Sequence, residues 1–237
     1  MNSIEKRNNI ENDYDRMDIG NNMNILIING SARKEGLCDY ISNNLCSSLE
    51  SLNNNIKKIN VKYYNIPSKN IEFCRGCVQC CADEHKYCFI DDDIQSVYKL
   101  MEEADSIVYI SPIYESFISG ILKNFFDRTN HYTSFFKLAG KNINLILSGV
   151  QPLYGETKEF SNIHVIKNIN RYFMNYSIIT HTHYNYLGFF HHLNHHSVKN
   201  ENEEEQFKRK ISKIAKRIVK QKIDFDMIKN SQKPYIV

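Results

Sequence analysis

The stretch from Asn24 to Asn29, "NILIIN", is a short apolar run rich in isoleucine that ends in Gly30, as expected of a strand buried on both faces. "SARKEG" then reads as a loop. From Leu37 the apolar residues Leu37, Ile41, Leu45, Leu49 and Leu52 recur at helical spacing, so a strand, a tight loop and a helix follow one another. The alternation repeats. "INVKYYNI" (Ile59 to Ile66) predicts a second strand, and "DDDIQSVYKLMEEA" a helix with aspartates at its start and Ile94, Val97, Tyr98 and Met101 on one face. "SIVYIS" (Ser106 to Ser111) predicts a third strand, "FISGILKNFFDRT" a helix, "NINLILS" (Asn142 to Ser148) a fourth strand and "YSIITHTH" a fifth. "EEEQFKRKISKIAKRIVKQ" closes the pattern as a helix, acidic at its start and basic toward its end. Strands separated by helices predict an α/β fold, a doubly wound five-stranded parallel sheet with helices on both faces.

Residues 1–22 show no apolar periodicity and read as a polar N-terminal extension. Residues 23–237 are expected to form a single domain with a cysteine-rich insertion at 73–90. Apolar residues at 42% and charged residues at 24% are ordinary for a globular chain, and a net charge of +3 is too small to argue for a nucleic-acid partner. No apolar run approaches the roughly eighteen residues of a membrane span, and the Asn-rich opening lacks the hydrophobic centre of a signal peptide. The expected location is the cytoplasm, with no membrane partner. There thiols stay reduced, so clustered cysteines point to metal or redox chemistry rather than structural disulfides.

A five-stranded sheet ordered 2-1-3-4-5 binds ligands beyond the carboxyl ends of its strands, where the order reverses between the first and third. Two loops lie there. "GSARKEGLC" carries Gly30, Ser31, Arg33 and Gly36 before a helix, a combination of close backbone approach, unpaired N–H groups, a hydroxyl and a guanidinium suited to a phosphate. It is neither a Walker loop nor a GxGxxG dinucleotide turn, and a plain strand-to-helix turn with a surface arginine would read the same way. In "SPIYESFISG" Pro112 restricts the backbone, and Tyr114 and Phe117 offer flat apolar surface for a planar heterocycle; for any single aromatic, packing against neighbouring helices is the commoner use.

"CRGCVQCCADEHKYC" holds five of the seven cysteines. Cys74, Cys77 and Cys80 are three residues apart and Cys88 follows, a spacing that can surround a compact four-iron cluster because each thiolate reaches a different corner. Structural zinc is the first rival, although its sites more often show two separated CxxC pairs. Empty thiols, or thiols used in exchange, are the second. Cys81 reads as a bystander, and Cys46, on the first helix, as core. "HHLNHH" (His191, His192, His195, His196) reads as a surface loop without an evident carboxylate or cysteine partner.

"INGSARKEGLCDYISNNL" followed by "ADSIVYISPIYESFISGILKNFFDR" resembles the flavodoxin-like NADPH-dependent FMN reductase superfamily, over roughly Asn24 to Arg128 and more loosely beyond. The resemblance implies that Ser31, Arg33, Gly36, Leu37 and Cys38 line the FMN phosphate, and that Pro112, Ile113, Tyr114, Glu115, Ser116 and Phe117 line the flavin ring. "SGVQPLYG", with Ser148, Gly149 and Gly155, would be the third flavin loop. Cys38 departs from the Thr or Ser of many relatives, and a thiol is only a weak donor. The cysteine spacing, lying between the second strand and the next helix, resembles the iron-sulfur flavoprotein branch, which implies a [4Fe-4S] cluster on Cys74, Cys77, Cys80 and Cys88.

By that resemblance the chain is an FMN-dependent oxidoreductase passing electrons between FMN, the cluster and a carrier such as ferredoxin or NAD(P)H. No catalytic side chain is then required, because the flavin carries the chemistry. A cluster-free NAD(P)H-dependent reductase of flavin, quinone, azo or nitro compounds is an alternative reading. A flavin electron carrier or redox-sensing module without turnover is another. Relatives are commonly dimers or tetramers in which a neighbouring subunit can complete the flavin pocket, so a homodimer or homotetramer is implied.

Overall fold

The computed structural model describes residues 22–54, 57–83, 86–150, 162–191 and 201–231. The proposed extension before residue 22, Gly155, His192, His195 and His196 lie outside the described residues. In chain order the elements are β1 (Asn22–Asn29), α1 (Leu37–Glu50), β2 (Lys58–Asn65), α2 (Gln95–Glu103), β3 (Ser106–Tyr114), β4 (Phe117–Ile118), α3 (Gly120–Arg128), α4 (His131–Phe135), β5 (Asn142–Gly149), α5 (Ile163–Thr180), β6 (His183–His191), α6 (Glu201–Ile218) and α7 (Phe225–Ser231). The long strands run parallel in the order β2-β1-β3-β5-β6, the expected 2-1-3-4-5 once the short β4 is set aside.

Both faces of the sheet are covered, and the alternation along β1 shows how. Ile25 and Ile27 point into a core with Ile41, Leu45 and Leu49 of α1 and Ile211, Ile214 and Ile218 of α6. Leu26 and Ile28 point the other way, into a core with Val97 and Met101 of α2, Leu122 and Phe125 of α3, and Ile169 and Phe173 of α5. A strand buried on both faces has no polar side to alternate with, hence the continuous run "ILII".

Two elements differ from the expectation. "YSIITHTH" is not a strand: Tyr176 to Thr180 are the end of α5, whose buried residues Ile166, Ile169, Phe173, Tyr176, Ser177 and Thr180 follow a helical period. Its β-branched pair Ile178 and Ile179 faces outward, 69% and 51% exposed, so strand propensity there was overridden by the packing of the opposite face. The fifth long strand is His183–His191, and His191 therefore closes β6 rather than opening a surface loop. The second difference is a hairpin inside "SPIYES": β3 runs on to Tyr114 and turns back through Glu115 and Ser116 to pair Tyr114 with Phe117.

The amino-terminal edge of the sheet is sealed by polar contacts. Gln221 donates to Asn144 Oδ1 at 2.6 Å, and Asn142 donates to the Lys222 carbonyl at 2.9 Å. The carboxyl edge, where the loops after β1, β3 and β5 meet, is left for a ligand. No helix among the described residues is long and apolar enough to cross a membrane.

The β3–β4 turn holds both central residues at positive φ, 44° at Glu115 and 63° at Ser116, as a two-residue hairpin demands but with neither Asn nor Gly to relieve the side-chain strain. Replacing Ser116→Gly should therefore raise the stability by about 1 kcal/mol and the Tm by about 2–4 °C. Thermal and denaturant unfolding would read this, and an unchanged or lowered Tm would count against strain at the turn.

Candidate functional site

The end of β1 is built for close approach. Gly30 donates to the Ile110 carbonyl at 2.8 Å, and a Cβ on Gly30 would lie 2.7 Å from Leu122 Cβ, so only glycine lets α3 sit against the strand end. Ser119 caps α3: its hydroxyl accepts from the Leu122 amide and donates to the Gly30 carbonyl, while its own amide donates to Ser111 Oγ at 3.1 Å. One serine thus fastens the loop after β1 to the loop after β3.

The loop from 30 to 36 is held from beneath by side chains not singled out by the sequence pattern. Asn29, fully buried, accepts from the Ser31 amide at 3.0 Å and donates to Asp39 Oδ1. Asp39 in turn accepts from the Glu35 amide at 2.6 Å. Above this frame Ser31 and Gly36 are buried and Leu37 is half-buried, while Arg33 is exposed. A Cβ on Gly36 would meet the Arg33 side chain at 3.1 Å, so the guanidinium stem folds back over the helix start. Gly36 is the extended N-cap of α1 with no side-chain capping bond, and the first-turn N–H groups have no intrahelical acceptor. A phosphate fits that donor set, which combines amides, a hydroxyl and an arginine.

Cys38 differs from its implied part. It is buried, its sulfur lies 3.2 Å from Ser148 Oγ, and burial pushes the thiol up to about 11, so its side chain belongs to the core beneath the loop. What it leaves for a phosphate is its backbone amide. The same contact ties α1 to the end of β5, where Ser148 is buried and Gly149 half-buried. Around the β3–β4 hairpin Pro112 is buried, Ile113 and Phe117 are half-buried, and Tyr114, Glu115 and Ser116 are exposed. Phe117 meets Tyr172 of α5 edge to face. The ends of β1, β3 and β5 are adjacent in register, with Asn29 beside Ile110 and Pro112 beside Ser148.

The cysteine segment forms a separate pocket at the other end of α3. Cys74, Cys77, Cys80 and Cys88 all line one cavity of about 80 Å³, together with Asp127, Arg128 and Asn130. Cys81 lies outside that lining, its sulfur 3.9 Å from Cys80 Sγ and receiving the Asn130 amide at 3.2 Å. Burial, then the sulfurs of Cys81, Cys88 and Cys74, push the Cys80 thiol up to about 12, a sign of how closely the group is gathered. Among the described residues no three His, Cys, Asp or Glu side chains converge on the position of a single metal ion. Four thiols spread around one cavity fit a multi-atom iron-sulfur centre, whose corners are reached by separate ligands.

Left-handed backbone shapes this segment, with φ of 63° at Gly76 and 57° at Val78, and for a β-branched residue that is a genuine outlier. Partners outside the segment brace it. Asn124 Oδ1 accepts from the Cys74 amide at 3.2 Å and its amide donates to the Glu72 carbonyl at 3.1 Å. His131, fully buried, donates through Nδ1 to the Cys80 carbonyl at 2.9 Å, and burial holds its pKa below the usual range. Arg128 reaches both shoulders of the loop, donating to the carbonyls of Glu72 at 2.7 Å and Ile90 at 3.4 Å, and it pairs with Asp92. Burial opposes the charge on Asp92, but Arg128 and the amides of Glu72 and Ile94 outweigh it and hold the carboxyl below its usual range. None of these bracing residues stands out in the sequence, because their partners are distant; the only local signal is an Asp-Arg pair ending an otherwise apolar helix face.

A parallel doubly wound sheet with a phosphate-ready loop at its switch point, and with thiols gathered at the far end of α3, defines a flavodoxin-type scaffold. The NADPH-dependent FMN reductase model matches residues 23–175, and the chain belongs to that family. An iron-sulfur flavoprotein of Methanocaldococcus jannaschii is 30% identical over 142 residues, covering 60% of this chain and 70% of that protein. One of Clostridioides difficile is 27% identical over 113 residues, covering 46% of each chain, so the match spans about half the length of that relative. Among solved structures, an FMN-dependent NADH-azoreductase from Bacillus anthracis in complex with FMN superposes with a TM-score of 0.59 at 11% identity, over 82% of this chain and 98% of that one. The general stress protein 14 of Treponema denticola, also in complex with FMN, gives 0.52 at 14% identity, over 83% and 98%. At such identities the likeness is one of fold.

In the metal-free protein, exposed Cys74 and Cys77 should react with iodoacetamide first at pH 8, while buried Cys38, a thiol up to about 11, should react last. Peptide mapping after timed quenching gives the order. Early labelling of Cys38 would mean that the loop after β1 opens far more than this packing allows.

Proposed function

We propose that the chain is an FMN-dependent oxidoreductase in which a [4Fe-4S] cluster on Cys74, Cys77, Cys80 and Cys88 connects the flavin to an external electron carrier such as ferredoxin. The observation that carries this reading is the placement of both sites on α3. Its N-cap Ser119 fastens the phosphate loop to the hairpin, and its last residues Asp127 and Arg128 line the cysteine pocket. Its nine residues make a helix about 13 Å long, which puts the two regions at opposite ends of a single element.

Bound FMN would supply two-electron exchange with NAD(P)H and one-electron exchange with an iron-sulfur centre. The protein's part is binding, orientation and electrostatics. Ser31, Arg33 and the amides of Gly36, Leu37 and Cys38 would hold the phosphate. Pro112 to Phe117, with Ser148 and Gly149, would border the ring, and Gly155 belongs to the same proposed loop. Amides of the strained hairpin would face the ring where reduction adds negative charge. The family and the absence of a spanning helix among the described residues support a redox enzyme working off the membrane. A cytoplasmic setting and a homodimer or homotetramer remain parts of the proposal.

Anaerobic purification should yield protein carrying FMN with about four irons and four sulfides per chain, and Cys77→Ser should lose the iron while keeping the flavin. Flavin without iron in the unsubstituted protein would leave a cluster-free reductase. Arg33→Gln should weaken FMN binding about tenfold or more, as loss of a charge-assisted bond to phosphate does, and leave riboflavin binding unchanged. Fluorescence titration with both ligands separates the two cases. Equal loss for both would place Arg33 away from the phosphate.

A further inference from the structure

We propose that Arg128 and Asp92 together set the reduction potential of the iron-sulfur centre, Arg128 raising it through its bond to Cys88 Sγ and Asp92 limiting that rise. The inference rests on the cluster reading of the cysteine pocket. Arg128 is 1% exposed, and all five of its N–H donors are engaged. Four meet oxygens: Nη1 the Glu72 carbonyl and Asp92 Oδ2, both at 2.7 Å, and Nη2 Asp92 Oδ1 at 3.0 Å and the Ile90 carbonyl at 3.4 Å. The fifth, Nε, points at Cys88 Sγ at 3.2 Å.

A neutral thiol is a weak acceptor and an odd partner for a buried guanidinium. The geometry suits a sulfur that carries negative charge, as a metal-bound thiolate does. Adding an electron to an iron-sulfur centre makes its ligands more negative, so a cationic N–H on one ligand sulfur favours the reduced form and raises the potential. Asp92 is equally buried and takes two of the guanidinium's donors, so it cancels much of that charge. Its other bonds go to the amides of Glu72 at 2.8 Å and Ile94 at 3.1 Å, so it acts on the centre through Arg128. Both are positioning residues.

The same contacts also brace the loop, because the Glu72 and Ile90 carbonyls flank the cysteines. Bracing and charge give different signs. A bracing role alone makes every substitution in the pair shift the potential the same way or not at all. A charge role makes Asp92→Asn, which unmasks the guanidinium, raise it, and makes the paired neutral variant Asp92→Asn with Arg128→Gln lower it.

The test is a redox titration of anaerobically purified, FMN-loaded protein, followed by electron paramagnetic resonance. Each variant should move the midpoint about tenfold in the one-electron equilibrium constant, about 59 mV, in opposite directions, with the flavin couple unmoved. Shifts of one sign, or none, overturn the proposal. Should the variants fail to fold or to hold iron, pulsed resonance on an Arg75→Lys variant labelled with [15N]arginine still decides it, since Arg75 also lines the pocket and has to be removed before a coupling can be assigned to Arg128. A nitrogen coupling to the reduced centre supports the bond from Arg128, and no coupling overturns it. Unsubstituted protein that holds flavin but no iron overturns the cluster reading itself, whereas iron with unmoved potentials overturns this inference alone.

Discussion

A guanidinium buried as deeply as Arg128 survives only if each donor finds an acceptor, and in this fold that requirement brings three chain segments to one point. They are α3 itself, residue 72 just before the first cysteine of the loop, and the stretch from its last cysteine, Cys88, through Ile90 to Asp92 at the approach to α2. Satisfying one side chain of α3 therefore closes the cysteine loop, since both ends of the loop must come to it. The loop has little apolar burial of its own: Phe73 is 80% exposed and Val78 62%. Its shape is instead set by bonds from Arg128, Asn124 and His131 to its backbone. Removing one partner of such a buried pair costs several kcal/mol, which makes α3 and the loop a coupled unit rather than a helix with an appendage.

The other end of α3 repeats the logic with neutral groups. Ser119 joins the Gly30 carbonyl to the first turn of the helix, and Gly30 is small enough to let Leu122 pack against the strand end. The loop after β1 is further shaped by Asn29 and Asp39, so a phosphate bound there would meet donors already held in place by the fold. Strain collects at the mouth and in the cysteine loop, at Glu115, Ser116 and Val78, and the packed sheet absorbs its cost. The two shaped regions lie at opposite ends of one helix, α3.

What the sequence made legible follows from burial. β1, β3 and β5 are covered on both faces, so they appear as largely apolar runs, and their alternation with helices made a parallel sheet readable. β6 lies at the sheet edge with a mixed pattern, "HYNYLGFFH", and four of its first residues only half-buried, while the end of α5 just before it carries the β-branched residues that imitate a strand. The β4 hairpin was hidden because its turn uses Glu-Ser where Asn-Gly would announce it. At the site, the glycine-serine-arginine loop and the cysteine spacing were readable because each is local. Asp39, Asn124, Arg128 and His131 were not, because their roles depend on partners brought close by the fold, up to 56 residues away for Arg128 and Glu72. The inward orientation of the Cys38 side chain was not readable, because it depends on Ser148, 110 residues on.

The account stands on one arrangement, a flavin across the carboxyl edge of the sheet and iron in the cysteine pocket at the far end of α3. A crystal grown without oxygen and measured at the iron absorption edge tests both halves at once. The account predicts an anomalous peak within the pocket, bonded to the sulfurs of Cys74, Cys77, Cys80 and Cys88, with FMN phosphate density over the start of α1. Iron bound elsewhere, a pocket closed by its own thiols, or a flavin loop filled by side chains would contradict it.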